Sequence, residues 1–247
     1  MTENTNPLNK YFRQPSIYVT LPSGSAYPPH VLQASQSGEI GIQPMTAKDE
    51  IRFKTPDALM NGEGVVEVIQ SCVPQIKDAW QVKSYDLDTL LIAIRIATYG
   101  ETMDFTFTVP GANEQVTHSQ NLPAILDQIK GTTIESEITL EDGLKIAVRP
   151  LTYKDMTTAS QQTFQQQKMY SAVQDSELPD DDKAKRFNES FKALTELNTS
   201  ILLKNVAGIT LQDGTAVNDP AQIKEFMENA NAKLIKEIET KMIALRS

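Results

Sequence analysis

Residues 40–49, IGIQPMTAKD, return at residues 146–155 as IAVRPLTYKD, and this repeat is the strongest structural signal in the 247-residue chain. Proline, threonine, lysine and aspartate are identical in the two copies, and the apolar positions are kept. The offset between the copies is 146 − 40 = 106 residues. An internal repeat with this offset predicts that the chain contains two related units.

Each copy of the repeat predicts a strand that ends at its proline and a helix that begins just after it. Thr46 stands three residues before Asp49, and Thr152 stands three residues before Asp155. This spacing is typical of a capping box, in which the hydroxyl and the carboxylate bond the free amides of the first helical turn. We therefore interpret these four residues as helix caps rather than as site residues.

A hairpin precedes each copy of the repeat. VTLPSG at residues 19–24 matches ITLEDG at residues 138–143, and both place turn residues after a run rich in apolar and β-branched side chains. Asp-Gly between alternating runs is the strongest short signal for a β-hairpin. The offset here is 138 − 19 = 119 residues, which we attribute to a longer loop in the first hairpin.

Both halves then lead through helical segments into a further hairpin. In the first half, Phe105 and Phe107 alternate with threonines before the Pro110-Gly111 turn, and in the second half ITLQDGTAV at residues 209–217 carries an Asp-Gly turn. The sequence predicts an α+β fold of two related units, each a β-hairpin followed by N-capped helices and a further hairpin. The predicted domains are a flexible N-terminal arm at 1–15, a first α+β unit at 16–131, and a second α+β unit with C-terminal helices at 132–247.

The clearest helix signal is DLDTLLIAIRIATYG, residues 86–100. Its apolar residues fall on more than one side, which predicts a helix that is central to the first unit. We expect Asp86 to cap its start and Gly100 to close it in the left-handed region of backbone space.

Composition excludes several classes of function. The chain has 23 Lys and Arg against 32 Asp and Glu, so its net charge of −9 repels nucleic-acid phosphates and anionic lipid. We expect neither nucleic acid nor membrane as a partner. One cysteine, Cys72, and two histidines cannot build a cysteine-based zinc cluster or a three-histidine metal site. Phosphate-loop and nucleophile-elbow motifs are absent, so we expect no cofactor, no metal and no enzymatic activity.

The glutamine-rich helix predicted at residues 152–174 carries the first candidate surface for protein partners, around residues 164–170. Its apolar residues do not form a clean stripe, and a helix this polar is either exposed or requires a partner. The last helical region carries the second candidate surface, near residues 226–243. The predicted partner-binding residues are Phe164, Met169, Tyr170, Phe226 and Ile238.

The chain resembles the baseplate hub protein family of T-even-type tailed bacteriophages, which is similar to proteins often described as tail assembly chaperones. The resemblance covers about residues 17–154, and its order of elements is more specific than any single motif. The segments that carry it are YVTLPSG, GIQPMTAKDE, DLDTLLIAIRIATYGE, MDFTFTVPG and LEDGLKIAVRPLTYKD.

The resemblance implies a non-enzymatic role in tail morphogenesis, as a hub subunit or a hub assembly factor. Implied partners are other baseplate hub or tail proteins, with the tape measure protein as one candidate. Implied locations are the host cytoplasm during assembly and the tail baseplate of the virion. Two alternatives stay open: a transient chaperone that is absent from the virion, and an enzyme whose site no motif marks.

One segment departs from the family pattern. Many relatives carry a Cys-Pro-x-Cys knuckle in the hairpin after the long helix, where this chain has VPGA at residues 109–112. We therefore expect no zinc there, and we expect the turn and the packing of Phe105 and Phe107 to hold the hairpin.

Overall fold

The computed structural model describes residues 7–24, 27–108, 115–131, 136–174 and 179–244. It confirms the predicted α+β class, because helices alternate with small antiparallel sheets. The chain divides into two compact units, Met1–Thr132 and Thr133–Ser247. Within the described ranges, no helix combines the length and the apolar character that a bilayer crossing requires.

The first unit begins with a β-hairpin and continues into a group of helices. Strands β1 (Ile17–Val19) and β2 (Ile40–Ile42) pair antiparallel. A second antiparallel pair, β3 (Thr102–Thr108) and β4 (Gln115–Asn121), forms a separate two-stranded sheet. The helices of this unit are α1 (Ala47–Phe53), α2 (Pro56–Met60), α3 (Glu63–Cys72), α4 (Ser84–Tyr99) and α5 (Leu122–Gly131).

The second unit contains one four-stranded antiparallel sheet with the order β5-β6-β7-β8. Its strands are β5 (Glu137–Thr139), β6 (Lys145–Val148), β7 (Val206–Thr210) and β8 (Ala216–Val217). Two long helices lie between β6 and β7 in the chain, and two shorter helices follow the sheet. These helices are α6 (Tyr153–Gln174), α7 (Asp180–Asn205), α8 (Pro220–Asn229) and α9 (Ala232–Ala244).

The hydrogen bonds of both predicted capping boxes are present. In the first unit, the amide of Asp49 donates to Thr46 Oγ1 at 3.3 Å, and the amide of Thr46 donates to Asp49 Oδ2 at 2.8 Å. In the second unit, the corresponding distances between Thr152 and Asp155 are 3.2 and 3.3 Å. The repeated sequence therefore encodes the same local hydrogen bonds twice, and the interpretation of these residues as caps is confirmed.

A cation from a distant part of the chain binds each capping aspartate. Arg13 Nη1 lies 2.9 Å from Asp49 Oδ2, and Lys204 Nζ lies 2.7 Å from Asp155 Oδ1. Arg13 also donates to the carbonyl and hydroxyl oxygens of Ser71, both at 2.7 Å. This residue belongs to the segment predicted as a flexible arm, yet it is bonded firmly to the first unit.

The matching hydrogen bonds extend beyond the repeated sequence. The amide of Gln43 donates to the carbonyl of Cys72 at the end of α3, at 2.8 Å, and the amide of Arg149 donates to the carbonyl of Asn205 at the end of α7, at 2.7 Å. In both units, the residue between the strand and the proline is thus hydrogen-bonded to the end of a later helix. The sequence comparison missed this match because the helices between these points differ greatly in length.

The two units differ two residues earlier in the chain, at Gly41 and Ala147. Ala147 of β6 pairs with Gly208 of β7, so the sheet continues. In the first unit, the amide of Gly41 instead donates to the side-chain oxygen of Gln75 at 2.8 Å. Pro74 precedes this glutamine, and a proline has no amide with which to extend a sheet. The first hairpin therefore gains no third strand on this side.

Two sequence expectations are corrected by the structure. Asp86 does not cap α4, because the helix begins at Ser84 and the Asp86 side chain is fully buried in its first turn. Phe105 and Phe107 are 44% and 51% exposed, so the ladder between β3 and β4 holds this hairpin rather than packing of the two rings. Helix α5 was not predicted from the sequence. The predicted turn at Pro110-Gly111 lies outside the described residues.

Each unit has its own apolar core. In the first unit, residues of β2, α3 and α4 are fully buried, among them Ile40, Ile42, Ile69 and Leu90. In the second unit, the core lies between the sheet, the end of α7 and the last two helices. The residues of this second core are Ile138, Leu140, Leu144, Ile146, Leu202, Val206, Ile209, Ile223, Met227, Ile238 and Met242.

Candidate partner-binding surface

The described residues contain no group of three or more His, Cys, Asp and Glu side chains that could hold a metal ion. His30 and His118 both lie on the surface. Cys72 is buried, and burial raises the pKa of its thiol to about 11, so the reactive thiolate is scarce near neutral pH. These side chains do not form a catalytic arrangement.

The hydrogen bonds of the fully buried carboxylate of Asp86 have a structural role. Asp86 Oδ1 accepts a hydrogen bond from the amide of Ser23 at 2.9 Å, and Asp86 Oδ2 accepts one from the hydroxyl of Tyr27 at 2.5 Å. The same hydroxyl accepts from the amide of Lys83 at 2.8 Å. Burial, and then the charge of Asp86, raise the pKa of Tyr27 strongly, so the phenol stays protonated. The network ties the loop after β1 to the start of α4.

The second unit presents a helical hairpin, which we define as α6 and α7. Its helices lie side by side and antiparallel, because Tyr170 stacks near Phe187 while the earlier Gln166 lines the same groove as the later Leu194. Thr152 caps the start of α6, and Pro179 precedes α7. With 22 and 26 residues, the helices are about 33 and 39 Å long.

One side of the helical hairpin carries an open groove of about 440 Å³ that contains no charged residue. The ring centroids of Tyr170 and Phe187 lie 4.7 Å apart at its floor, and Phe191 is 73% exposed at its rim. The lining residues are Gln166, Gln167, Tyr170, Ser171, Phe187, Ser190, Phe191 and Leu194. We call this side the uncharged side.

A buried acceptor in this groove lacks a partner. The side-chain oxygen Oε1 of Gln166 is shielded from solvent and accepts no hydrogen bond from the described residues. An unsatisfied buried acceptor costs about 1–3 kcal/mol.

The opposite side of the helical hairpin has a different chemistry, and we call it the charged side. Met169 is half exposed there. The groove on this side is lined by Met169, Ala172, Val173, Asp182, Lys185, Arg186 and Glu189. The two sides therefore suit partner surfaces of different charge.

The structure places the predicted partner-binding residues in three different environments. Phe164, Met169 and Tyr170 are each 50% exposed on α6. Phe226 is partly buried against the core of the second unit, and Ile238 is fully buried within that core. An accessible surface cannot include Ile238, and we correct its assignment to a core residue.

Sequence analysis also missed one exposed residue of this surface. Phe191 is not among the predicted partner-binding residues, yet it is the most exposed phenylalanine of the helical hairpin. The spacing of Phe187, Phe191 and Leu194 does mark one side of a helix. Spacing alone could not show that this side faces a groove instead of a core.

The sequence model of the family described as "T4 bacteriophage base plate protein" matches residues 15–246. The chain belongs to this family. No significant match to a curated protein or to a solved structure is found. The match spans both units, so both the helical hairpin and the β3–β4 hairpin are parts of the base plate domain.

Membership in the base plate family gives the exposed aromatic residues a context. Base plate proteins belong to an assembly of phage tail proteins, and such proteins require surfaces that bind their neighbours. Aromatic side chains and methionine are enriched in protein interfaces. The helical hairpin of this base plate protein has that composition.

Proposed function

We propose that this base plate family protein is a non-enzymatic tail morphogenesis protein, a hub subunit or hub assembly factor, that binds other hub or tail proteins through its helical hairpin. The observation that carries the proposal is the pair of long helices α6 and α7 with half-exposed Phe164, Met169 and Tyr170. The tape measure protein is one candidate partner.

The position of the helical hairpin in the fold supports a binding role. The corresponding part of the first unit, between β2 and Cys72, contains three helices of 7, 5 and 10 residues. The second unit uses helices of 22 and 26 residues between matching hydrogen-bonded points. The extra length is not needed to close the sheet of the second unit, and it exposes apolar side chains at a cost in solubility.

The charge of the helical hairpin also supports binding. Its helices carry seven Lys and Arg and six Asp and Glu, which gives 7 − 6 = +1, whereas the whole chain carries −9. A near-neutral element on an acidic protein repels an acidic neighbour less than the rest of the surface does. Acidic surface elsewhere opposes nonspecific association of free copies.

The test is a tagged pull-down from infected or co-expressing cells, with partners identified by mass spectrometry. Met169→Asp and Phe164→Asp are made separately, because these residues lie on different parts of α6. We expect at least one variant to lose a hub or tail protein that the parent recovers. Met60→Asp on α2 is the matched control, since Met60 is 57% exposed and Met169 is 50% exposed.

Circular dichroism must show the same helix content in all three variants. Equal recovery of hub or tail proteins by the parent, Met169→Asp and Phe164→Asp would contradict the assignment of the surface. Recovery of no tail protein by the parent would contradict the function. Mass spectrometry of purified virions separates the two roles, because a hub subunit stays in the particle and a transient chaperone is absent.

A further inference from the structure

An open groove of about 190 Å³ runs along the outer edge of β1 in the first unit. Both β1 and α5 pack against α4, and both contribute residues to the groove. Three successive residues at the end of β1 line it, Tyr18, Val19 and Thr20. Successive side chains of a strand point to opposite faces, so a groove that contacts all three lies at the edge of the strand.

The other wall of the groove is one side of α5. Pro123, Leu126, Asp127 and Lys130 line this wall, and their spacing of three and four residues places them on the same side of the helix. The volume is below the roughly 300–1,000 Å³ that is typical of small-molecule pockets. An exposed strand edge instead suits an extended peptide, which binds as an additional strand.

The backbone groups of Tyr18 are available to such a strand. Gly41, which pairs with Tyr18 on β2, donates its amide away from β1, to Gln75 Oε1 at 2.8 Å. Tyr18 and Gly41 are therefore a pair without mutual hydrogen bonds, and the N–H and C=O of Tyr18 point away from β2. Neither group is hydrogen-bonded to any other residue that the structure describes.

In the second unit, a helix covers the matching strand edge. The carbonyl of Thr139 accepts a hydrogen bond from Lys241 Nζ of α9, and the amide of Glu141 donates to Glu237 Oε1 of the same helix at 2.9 Å. Thr139 corresponds to Thr20 in the matched hairpins, and the carbonyl of Thr20 accepts no hydrogen bond from the described part of the chain. The edge that α9 covers in the second unit is therefore open in the first.

We propose that the groove beside β1 binds an extended segment of a partner protein, which adds a strand to the open edge and carries a lysine or arginine. The proposal rests on the proposed function, because the partner would be another hub or tail protein, but the surface is not the helical hairpin. The backbone of the segment would bond Tyr18, and an apolar side chain would pack against Pro123 and Leu126.

The charge of the groove decides between possible occupants. Glu39 and Asp127 line the groove with a single cation, Lys130. The ion pairs of the described residues include neither carboxylate, so both can pair with a basic side chain of the segment. A second copy related by two-fold symmetry would instead bring the same two carboxylates to this edge. Since each copy carries −9, like charges oppose that occupant.

The probe is a displayed library of random short peptides, selected for binding to the immobilised full chain. Tyr18→Pro removes the outward N–H without removing a bond to β2, whereas its control, Tyr18→Thr, keeps the N–H and removes only the ring. We expect selected peptides to alternate apolar and polar residues and to contain Lys or Arg. Their affinity should be about tenfold lower for Tyr18→Pro than for Tyr18→Thr.

Asp127→Lys tests the predicted charge of the segment. It should weaken the binding of basic peptides by about threefold or more, because it replaces an attraction with a repulsion. Glu225→Lys on α8 is the matched control, since it makes the same change of charge at another exposed helical position. It should bind the peptides like the parent.

Hydrogen exchange of the Tyr18 amide, measured by nuclear magnetic resonance, reports on the added strand directly. Bound peptide should slow this exchange, because the N–H then donates a hydrogen bond. Unchanged exchange would overturn the proposal even if Tyr18→Pro failed to fold, which circular dichroism would show.

Three other results would also overturn the proposal. The first is a selection that enriches no peptide, and the second is a set of peptides that bind Tyr18→Pro and Tyr18→Thr equally well. The third is a dimer of the parent, detected by light scattering, that Tyr18→Pro dissociates, because this result would assign the edge to a second copy.

The outcome is separable from that of the proposed function, because the peptide selection uses no tail protein. Enriched peptides together with a pull-down that recovers no tail protein would refute only the assembly function. Recovery of tail proteins without any enriched peptide would refute only the strand site.

Discussion

Removal of the capping carboxylate should destabilise the first unit more than the second, although both carboxylates occupy the same position of the repeat. Asp49 is 2% exposed and binds Arg13, whose side chain is 22% exposed. The side chain of Asp155 is 27% exposed and binds Lys204, whose side chain is 49% exposed. The two alanine variants therefore differ in how much charge they leave buried without a partner.

The expected magnitudes follow from this difference. Loss of a helix cap costs about 1 kcal/mol in either unit. Asp49→Ala also leaves the guanidinium of Arg13 without its carboxylate, and breaking a buried pair costs about 3–5 kcal/mol when one partner is removed. Because Arg13 keeps its bonds to Ser71, we expect a total near 3 kcal/mol for Asp49→Ala. We expect about 1 kcal/mol for Asp155→Ala, because water solvates Lys204 when its partner is lost.

Urea unfolding followed by two signals distinguishes the units. Trp80 is the only tryptophan of the chain and lies in the first unit, so its fluorescence reports on that unit. Far-ultraviolet circular dichroism is dominated by the long helices of the second unit. Asp49→Ala should lower the fluorescence midpoint, whereas Asp155→Ala should shift the dichroism midpoint by less. Equal losses of unfolding free energy for the two variants would refute the argument from burial.

Three further predictions follow from the same structure. Ile238→Ala should lower the unfolding free energy of the second unit by about 2–5 kcal/mol, because the side chain is fully buried, and an unchanged urea midpoint would contradict its place in the core. Cys72 should resist thiol reagents at pH 8 until the first unit unfolds, because burial raises its pKa to about 11, and rapid labelling of the native protein would contradict this. Burial opposes ionisation of Asp49 and Asp155, but the hydrogen bonds and partner cations of these carboxylates outweigh burial and lower both pKa values. As the pH falls, these carboxyls are therefore protonated at a higher pH in the unfolded chain than in the folded chain. Their contribution to stability should be present above about pH 4 and lost below it, and urea midpoints that do not fall between pH 5 and pH 3 would contradict this.

Sequence patterns predicted most of the elements that depend on neighbouring residues. Capping boxes and Asp-Gly turns depend on atoms a few residues apart, and the structure has both. Helix α5 was not predicted, although its start has a local signal: Asn121 Oδ1 accepts a hydrogen bond from the amide of Ala124 at 2.9 Å, and Pro123 lies in the first turn.

The position of single side chains was predicted less well, because burial depends on residues far along the chain. Asp86 has the sequence position of a helix cap, but Ser23 and Tyr27 bond its carboxylate in the interior. Ile238 and Phe191 both lie on apolar stripes of helices. Only the packing of distant elements shows that the first is buried and the second is exposed.

The sequence itself determined the repeat, the net charge and the local hydrogen bonds that start α1 and α6. Each of these depends on composition or on contacts within a few residues. The tertiary structure decided which cation binds each cap, where the first sheet stops, and which groove of the helical hairpin has no charged residue in its lining. Those features join residues that are tens of positions apart, such as Arg13 with Asp49 and Lys204 with Asp155. Spacing within one segment carries no information about which distant segment will pack against it.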